Sequence, residues 1–331
     1  MNKIFLISFG LILVILSSFF IFRNKASVSE NLIQISTADS GKWVGFAPFY
    51  LAKARGFDKK YGVNLKIEKV GNSDARRTML SSGQIDFLTP TIDGAIFNIN
   101  AGMDVKIIMA YDTSFGGDGI VSKNNIFKLT DLKGKRIAAT KGFTNYFFLK
   151  YLLSKNGISD KDLVIVDMPD EQIGPAFVAG KIDAGAMMEP WISKITSQGK
   201  GKLLVSSKDT PNIVTDIILA RSDSIKNKKT GLSGVAKAWF EALKYYQSNP
   251  SESNEIMAKE YGMSVTEFIE AVKTVKWLTR EDNSRYFSHE NNEGIYEITK
   301  SVIDTALKEN MITKNMNVVD IITTEILQIS K

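Results

Sequence analysis

Gly180-Lys181-Ile182-Asp183-Ala184-Gly185-Ala186-Met187-Met188-Glu189-Pro190-Trp191 passes from a tight glycine turn into a short apolar strand and ends on an acid, a proline and an aromatic. Pro190 suits the first position of a helix, where its missing N–H costs nothing. Glu189 then stands at the helix entrance, near the positive end of the dipole. Its carboxylate and the Trp191 ring belong at the carboxyl end of a strand, where open α/β sheets bind small ligands. Ser82-Gly83-Gln84-Ile85-Asp86-Phe87-Leu88-Thr89-Pro90-Thr91 repeats the small-Gly-x-Ile-Asp start and the proline soon after it. Two such strand-to-helix units predict two similar lobes, each offering a loop to a shared cleft. Taken singly, either copy also reads as a common helix-to-strand turn.

Outward from these copies, strands alternate with helices. Strands are expected over 32–37, 63–70, 86–89 and 105–111, with helices over 48–55, 73–82 and 92–101 between them. The alternation implies a parallel sheet with crossover connections. The glycine-rich turn Asp112-Thr113-Ser114-Phe115-Gly116-Gly117-Asp118-Gly119 leads to a second series of strands and helices. The strand at 213–220 returns to the first sheet, and from Lys226 onward the pattern is helical. The expected layout is therefore a first lobe from 31–112 and 213–331, a second from 113–212, and a helical C-terminal part.

The chain of 331 residues is 44% hydrophobic and 24% charged, a globular composition. Its formal net charge of +6 includes Lys3, Arg23 and Lys25 of the N-terminal segment, so nothing in the charge calls for nucleic acid. There is no cysteine, which excludes disulfides, thiolate nucleophiles and cysteine metal sites. The one histidine, His289, lies in the polar stretch Ser288-His289-Glu290-Asn291 and reads as solvated surface. The apolar run Ile4 to Phe22, between Lys3 and Arg23, reads as an export signal. It is long enough to stay as a membrane anchor and is followed by a poor cleavage site, so residues 1–30 are either a signal peptide or an anchor.

Asp112 and Asp118 flank the Gly116-Gly117 turn at the crossing between lobes, and Glu189 belongs to the second lobe. Three carboxylates around a cleft favour a cationic or amine-bearing solute. The alternative for Asp112 and Asp118 is turn capping. Trp43, Phe46, Phe143, Tyr146 and Trp191 offer ring faces that suit a cation, although Phe46 and Phe143 read first as core. Thr89, Thr91 and Asp93 lie at a strand end and helix start, where hydroxyls and helix N–H groups bind anionic oxygens. Lys42 and Lys141 favour the same, and a zwitterion satisfies both sets.

Five pieces, Gly45-Phe46-Ala47-Pro48-Phe49-Tyr50-Leu51-Ala52-Lys53-Ala54-Arg55-Gly56-Phe57, Ser82-Gly83-Gln84-Ile85-Asp86, Asp131-Leu132-Lys133-Gly134-Lys135, Ala179-Gly180-Lys181-Ile182-Asp183 and Glu189-Pro190-Trp191, occur in order between about 33 and 220. Together they resemble the solute-binding proteins of ABC importers of the nitrate/sulfonate/taurine type. The resemblance implies two Rossmann-like α/β lobes closing on a ligand, the type II periplasmic binding protein fold. It further implies a monomer at the periplasmic or extracytoplasmic face of the membrane, a small-molecule solute, ABC permease and ATPase partners, no cofactor and no catalysis. Tyr111-Asp112-Thr113-Ser114-Phe115-Gly116-Gly117-Asp118 and Gly142-Phe143-Thr144-Asn145-Tyr146 resemble a branch associated with urea- or guanidine-type uptake. There the first piece reads Asp-Tyr-Ser-Asn-Gly-x-Asp, from which this chain departs. The ligand-binding candidates are thus Trp43, Thr89, Thr91, Asp112, Asp118, Thr144, Glu189 and Trp191. The competing readings are an enzyme of the same fold, similar to pyrimidine-precursor synthases, and an exported sensory receptor. Those synthases carry a cysteine-rich site and a reactive histidine, which this composition does not supply.

Overall fold

Strand β1 (Ile33–Asp39) is flanked by β2 (Val63–Lys69) and by the two-residue β3 (Phe87–Leu88), both parallel to it. The computed structural model describes residues 31–330. The apolar run Ile4 to Phe22, with its alternative fates, lies outside them. Among the described residues no helix is long and apolar enough to cross a membrane.

The first sheet has six strands in the order β11-β4-β10-β3-β1-β2, with β4 at Val105–Ser114, β10 at Thr215–Arg221 and β11 at Val275–Trp277. The second has five, in the order β7-β6-β8-β5-β9, with β5 at Asp118–Ser122, β6 at Arg136–Ala139, β7 at Val164–Asp167, β8 at Ala184–Met188 and β9 at Lys202–Ser206. The chain passes from one sheet to the other after β4, through Phe115 to Gly117, and returns after β9 through a 3₁₀ turn at Ser207–Asp209.

Both sheets are mixed, which corrects the expectation of parallel ones. β5 runs antiparallel to β8 and β9, and β10 runs antiparallel to β3 and β4. A parallel neighbour needs a helical crossover within its own sheet. β5 and β10 are the strands reached from the other sheet without one. The C-terminal part is not wholly helical either: β11 pairs antiparallel with β4, Trp277 opposite Asp112. Three residues are too few to show the period-2 alternation by which a strand is read.

The repeated turns have a common construction. Gly83 and Gly180 hold φ of 78° and 71°, a left-handed conformation that glycine adopts without a Cβ penalty. The aspartate three residues on then ties each turn to the neighbouring strand. Asp86 Oδ2 accepts from the Ser36 backbone N at 2.9 Å, and Asp183 Oδ2 from the Arg136 backbone N at 2.9 Å. A lysine neutralises each acid, Lys228 at 2.8 Å and Lys123 at 2.6 Å.

The first sheet is backed by the helix Lys229–Ser248, whose fully buried Trp239 packs against Phe49 and Tyr111 with ring centroids 4.5 and 5.4 Å away. Its indole N–H donates to the Leu278 carbonyl at 3.1 Å, so the ring is buried with its polar atom satisfied. Val121, Ala138, Ile173, Phe177 and Met187 form a separate core on the second sheet.

Candidate functional site

A cavity of about 230 Å³ is lined from both sheets. The end of β1 contributes Asp39, and the loop after it Trp43 and Phe46. The end of β3 and the start of the helix Ile92–Asn100 supply Thr89, Thr91 and Asp93. Tyr111 comes from β4 and Asp216 from β10. From the second sheet come Asp118 on β5, the Phe143-Thr144 corner and Met188. Strand ends and helix starts thus converge on the cavity, as in other open α/β sheets.

The lining is acidic. Asp39, Asp93, Asp118 and Asp216 all border the cavity and all are buried, none more than 7% exposed. Burial pushes the Asp93 and Asp118 carboxyls up to about 6, against the opposing pull of Thr91 on the first and Ser114 on the second. Burial also raises Asp39, opposed by the Tyr50 hydroxyl, which donates to it at 3.0 Å, and by Arg76. Both Asp93 oxygens lack a partner at hydrogen-bonding geometry. The two nearby hydroxyls, Thr91 and Thr144, bond each other at 2.8 Å across the cleft, which uses one of their two protons and leaves the other for Asp93.

Behind Trp43 lies Asp112, fully buried, whose Oδ2 accepts from the Trp43 indole N–H at 3.0 Å while Oδ1 has no partner. Asp112 and Asp216 sit opposite each other on β4 and β10. Burial raises both carboxyls, and Asp112 raises Asp216 further. Gly45 makes room for this contact: a Cβ there would fall on Asp112 Oδ2 and Trp43 Nε1.

Two cations line the cavity, Arg76 and Arg77. Arg76 spends Nη1 on the Val70 and Gly71 carbonyls at 2.6 and 3.1 Å. Arg77 pairs with Asp74 at 3.3 Å. Among the described residues no group of three or more His, Cys, Asp or Glu side chains is placed to hold a metal ion.

Of the sequence candidates, Trp43, Thr89, Thr91, Asp118 and Thr144 line the cavity, and Asp112 touches it through Trp43. Glu189 and Trp191 do not line it. Glu189 folds back on its own helix, Trp191–Ser197, accepting from the Ser193 backbone N at 3.1 Å and the Ser193 hydroxyl at 2.8 Å. Pro190 is the N-cap of that helix, one place before the expected first position. The Trp191 ring covers Gly174, and Lys194 lies 4.5 Å from its centroid. Phe143, read first as core, is 45% exposed and faces the cavity. Tyr146, Lys42 and Lys141 are absent from the lining, and His289 is exposed and stacked on Tyr296 at 3.9 Å.

Asp39, Asp216 and Arg76 escaped the sequence reading. Asp39 was within reach, since it ends β1 at the strand end where such sheets bind ligands. Asp216 was not, because its place depends on the antiparallel pairing of β10 with β4.

The described residues share their fold with known binding proteins. The periplasmic aliphatic sulphonate binding protein SsuA from Escherichia coli is similar with a TM-score of 0.73 at 19% identity, covering 90% of this chain and 99% of that one. The periplasmic nitrate-binding protein NrtA from Synechocystis PCC 6803 gives a TM-score of 0.70 at 15% identity, covering 91% and 88%. This is the periplasmic binding protein fold. In sequence, a Brucella abortus (strain 2308) protein named as a binding protein, with no ligand stated, is 24% identical over 237 residues, 70% of this chain and 73% of that one. The NMT1/THI5-like family model matches residues 43–253, well over half the chain and nearly all of the cavity lining, and the chain belongs to the NMT1/THI5-like family.

Proposed function

We infer that this chain is the extracytoplasmic solute-binding component of an ABC import system. It holds a small nitrogen-bearing cation between its two sheets and does not transform it. The observation that carries the reading is the sign of the cavity. Four buried carboxylates border it, a fifth lies behind Trp43, and both arginines are engaged by their neighbours. Burying an ionised carboxylate without a partner costs several kcal/mol. A cation with several N–H donors offsets that cost and satisfies the two Asp93 oxygens. The Trp43 ring adds a face that attracts positive charge.

The binding-protein names of the relatives support capture without catalysis. Sulfonate and nitrate, for which the structural relatives are named, are anions, and the acids of this cavity oppose them. Two lobes, 31–112 with 213–331 and 113–212, would close through the Gly116-Gly117 turn, where Gly116 holds a φ of 103°.

The reading is tested by calorimetry of the exported chain with guanidinium, methylammonium, taurine, urea and nitrate. Binding of guanidinium or methylammonium, recovered unchanged by mass spectrometry, is the expected result. Tight binding of nitrate with no cation bound contradicts it.

A further inference from the structure

The Asp112 and Asp216 carboxyls pose a problem that the cation reading does not by itself resolve. They face each other from adjacent antiparallel strands, both buried. The backbone of Asp216 also bridges to Thr91, which sets Asp216 on the cavity wall, whereas Asp112 is screened from it by the Trp43 indole. The charged and titratable groups facing the pair come from every element around it. Asp118 comes from β5, Asp93 from the helix Ile92–Asn100, Asp39 from β1 by way of Tyr111, and Tyr261 from the helix Pro250–Tyr261. These are acids and phenols. Among the described residues no lysine or arginine forms an ion pair with Asp112 or Asp216; Arg76 acts on Asp39. Two adjacent carboxylates in a dry site do not both ionise without a counter-charge, and they titrate as a unit. A proton shared between them removes one of the two charges and lets one carboxyl donate where both otherwise only accept.

We propose that Asp112 and Asp216 hold one proton between them in the ligand-free protein and release it to solvent when a cation enters the cavity, so that the pair selects cations over neutral molecules of the same shape. The ligand's positive charge replaces the proton's, and its N–H groups take over the donation to Asp216. A neutral isostere brings donors but no charge, so the proton stays and the cavity keeps one donor too many. Asp93 and Asp118, with carboxyls at about 6, are mostly ionised near neutral pH and set the negative field that draws the cation in. This inference rests on the cation reading of the cavity.

The test has two arms on the full chain. Carboxyl NMR of the ligand-free, aspartate-labelled protein is expected to show two resonances that titrate together well above the ordinary carboxylate range, and Asp216→Asn abolishes that transition. Guanidinium chloride titrated by calorimetry at about pH 7, in buffers of different ionisation heat, is expected to release about one proton. Its affinity then rises about tenfold per pH unit on the acid side of the pair's transition. Urea, its neutral isostere, shows neither effect. In Asp216→Asn the proton release disappears and the preference for guanidinium over urea falls at least about tenfold. Aspartates that all titrate below about pH 5 in the free wild-type protein overturn the proposal without reference to any ligand or variant. Guanidinium bound without proton release overturns the exchange and leaves the cation reading standing. Nitrate bound in place of any cation overturns the cation reading, and the exchange with it.

Discussion

The two Gly-x-Ile-Asp units begin alike and end differently. Each turns on a left-handed glycine, and each aspartate accepts from the backbone of the adjacent strand and pairs with a lysine. From there the first unit delivers Thr89, Thr91 and Asp93 to the cavity, with both Asp93 oxygens left unpartnered. The second delivers Met188 to the cavity, and its Glu189 closes on Ser193 instead. The shared part of the motif builds a turn, and the residues C-terminal to it decide what reaches the cavity. An acid whose hydrogen-bonding capacity is met by its own helix has little left for a ligand, while one buried with its oxygens at no good hydrogen-bonding geometry keeps most of it.

The largest effect expected from this comparison lies in the turns. Asp86 is buried and also accepts from the Ser36 and Ser224 hydroxyls at 3.1 and 2.9 Å, whereas the Asp183 side chain is 24% exposed. Asp86→Ala should cost about 3 kcal/mol of unfolding free energy, as a broken buried pair does. Asp183→Ala should cost about 1 kcal/mol, after discounting for solvent. Equal losses in urea denaturation would erase the distinction. Gly45→Ala comes next. Its Cβ would fall on Asp112 Oδ2 and Trp43 Nε1, so it should destabilise by about 1 to 3 kcal/mol. The loss of the Trp43–Asp112 hydrogen bond would register in tryptophan fluorescence. The smallest effect belongs to the second unit's acid: Glu189→Gln should leave affinity unchanged and lower stability by about 1 kcal/mol. A large loss of binding in that variant would move recognition to the second unit.

Legibility in the sequence is governed by the range of the interaction. Gly83 and Gly180 are legible because a left-handed turn restricts residue type locally. The cavity positions of Thr89, Thr91 and Asp118 are legible because strand ends and crossings can be placed from alternation alone. Asp216 reaches the site only through pairing with a strand about a hundred residues away, and no local pattern records that. The direction of Glu189 was within reach: Ser193 lies one helical turn on, at the spacing where an acid at the helix entrance finds a hydroxyl and a free N–H. The expected parallel sheet came from element alternation, which does not register that the chain changes sheets without a helix.

Asp93 allows the central claim to be tested with a change of sign. Its carboxyl, pushed up to about 6 from the ordinary 3.8, binds its proton more tightly in the folded chain than in the unfolded one. Folding stability is therefore lost as pH rises from about 4 to about 6, and the loss persists above that, amounting to about 3 kcal/mol. Asp93→Asn removes the charge and keeps the shape. Urea unfolding and guanidinium calorimetry on the wild-type chain and this variant, both at about pH 8, should then move in opposite directions. The variant gains up to about 3 kcal/mol of stability and loses about 2 to 5 kcal/mol of cation binding. A variant that binds guanidinium as well as the wild type, or that is less stable at that pH, would show that this carboxylate is not held in reserve for a cation.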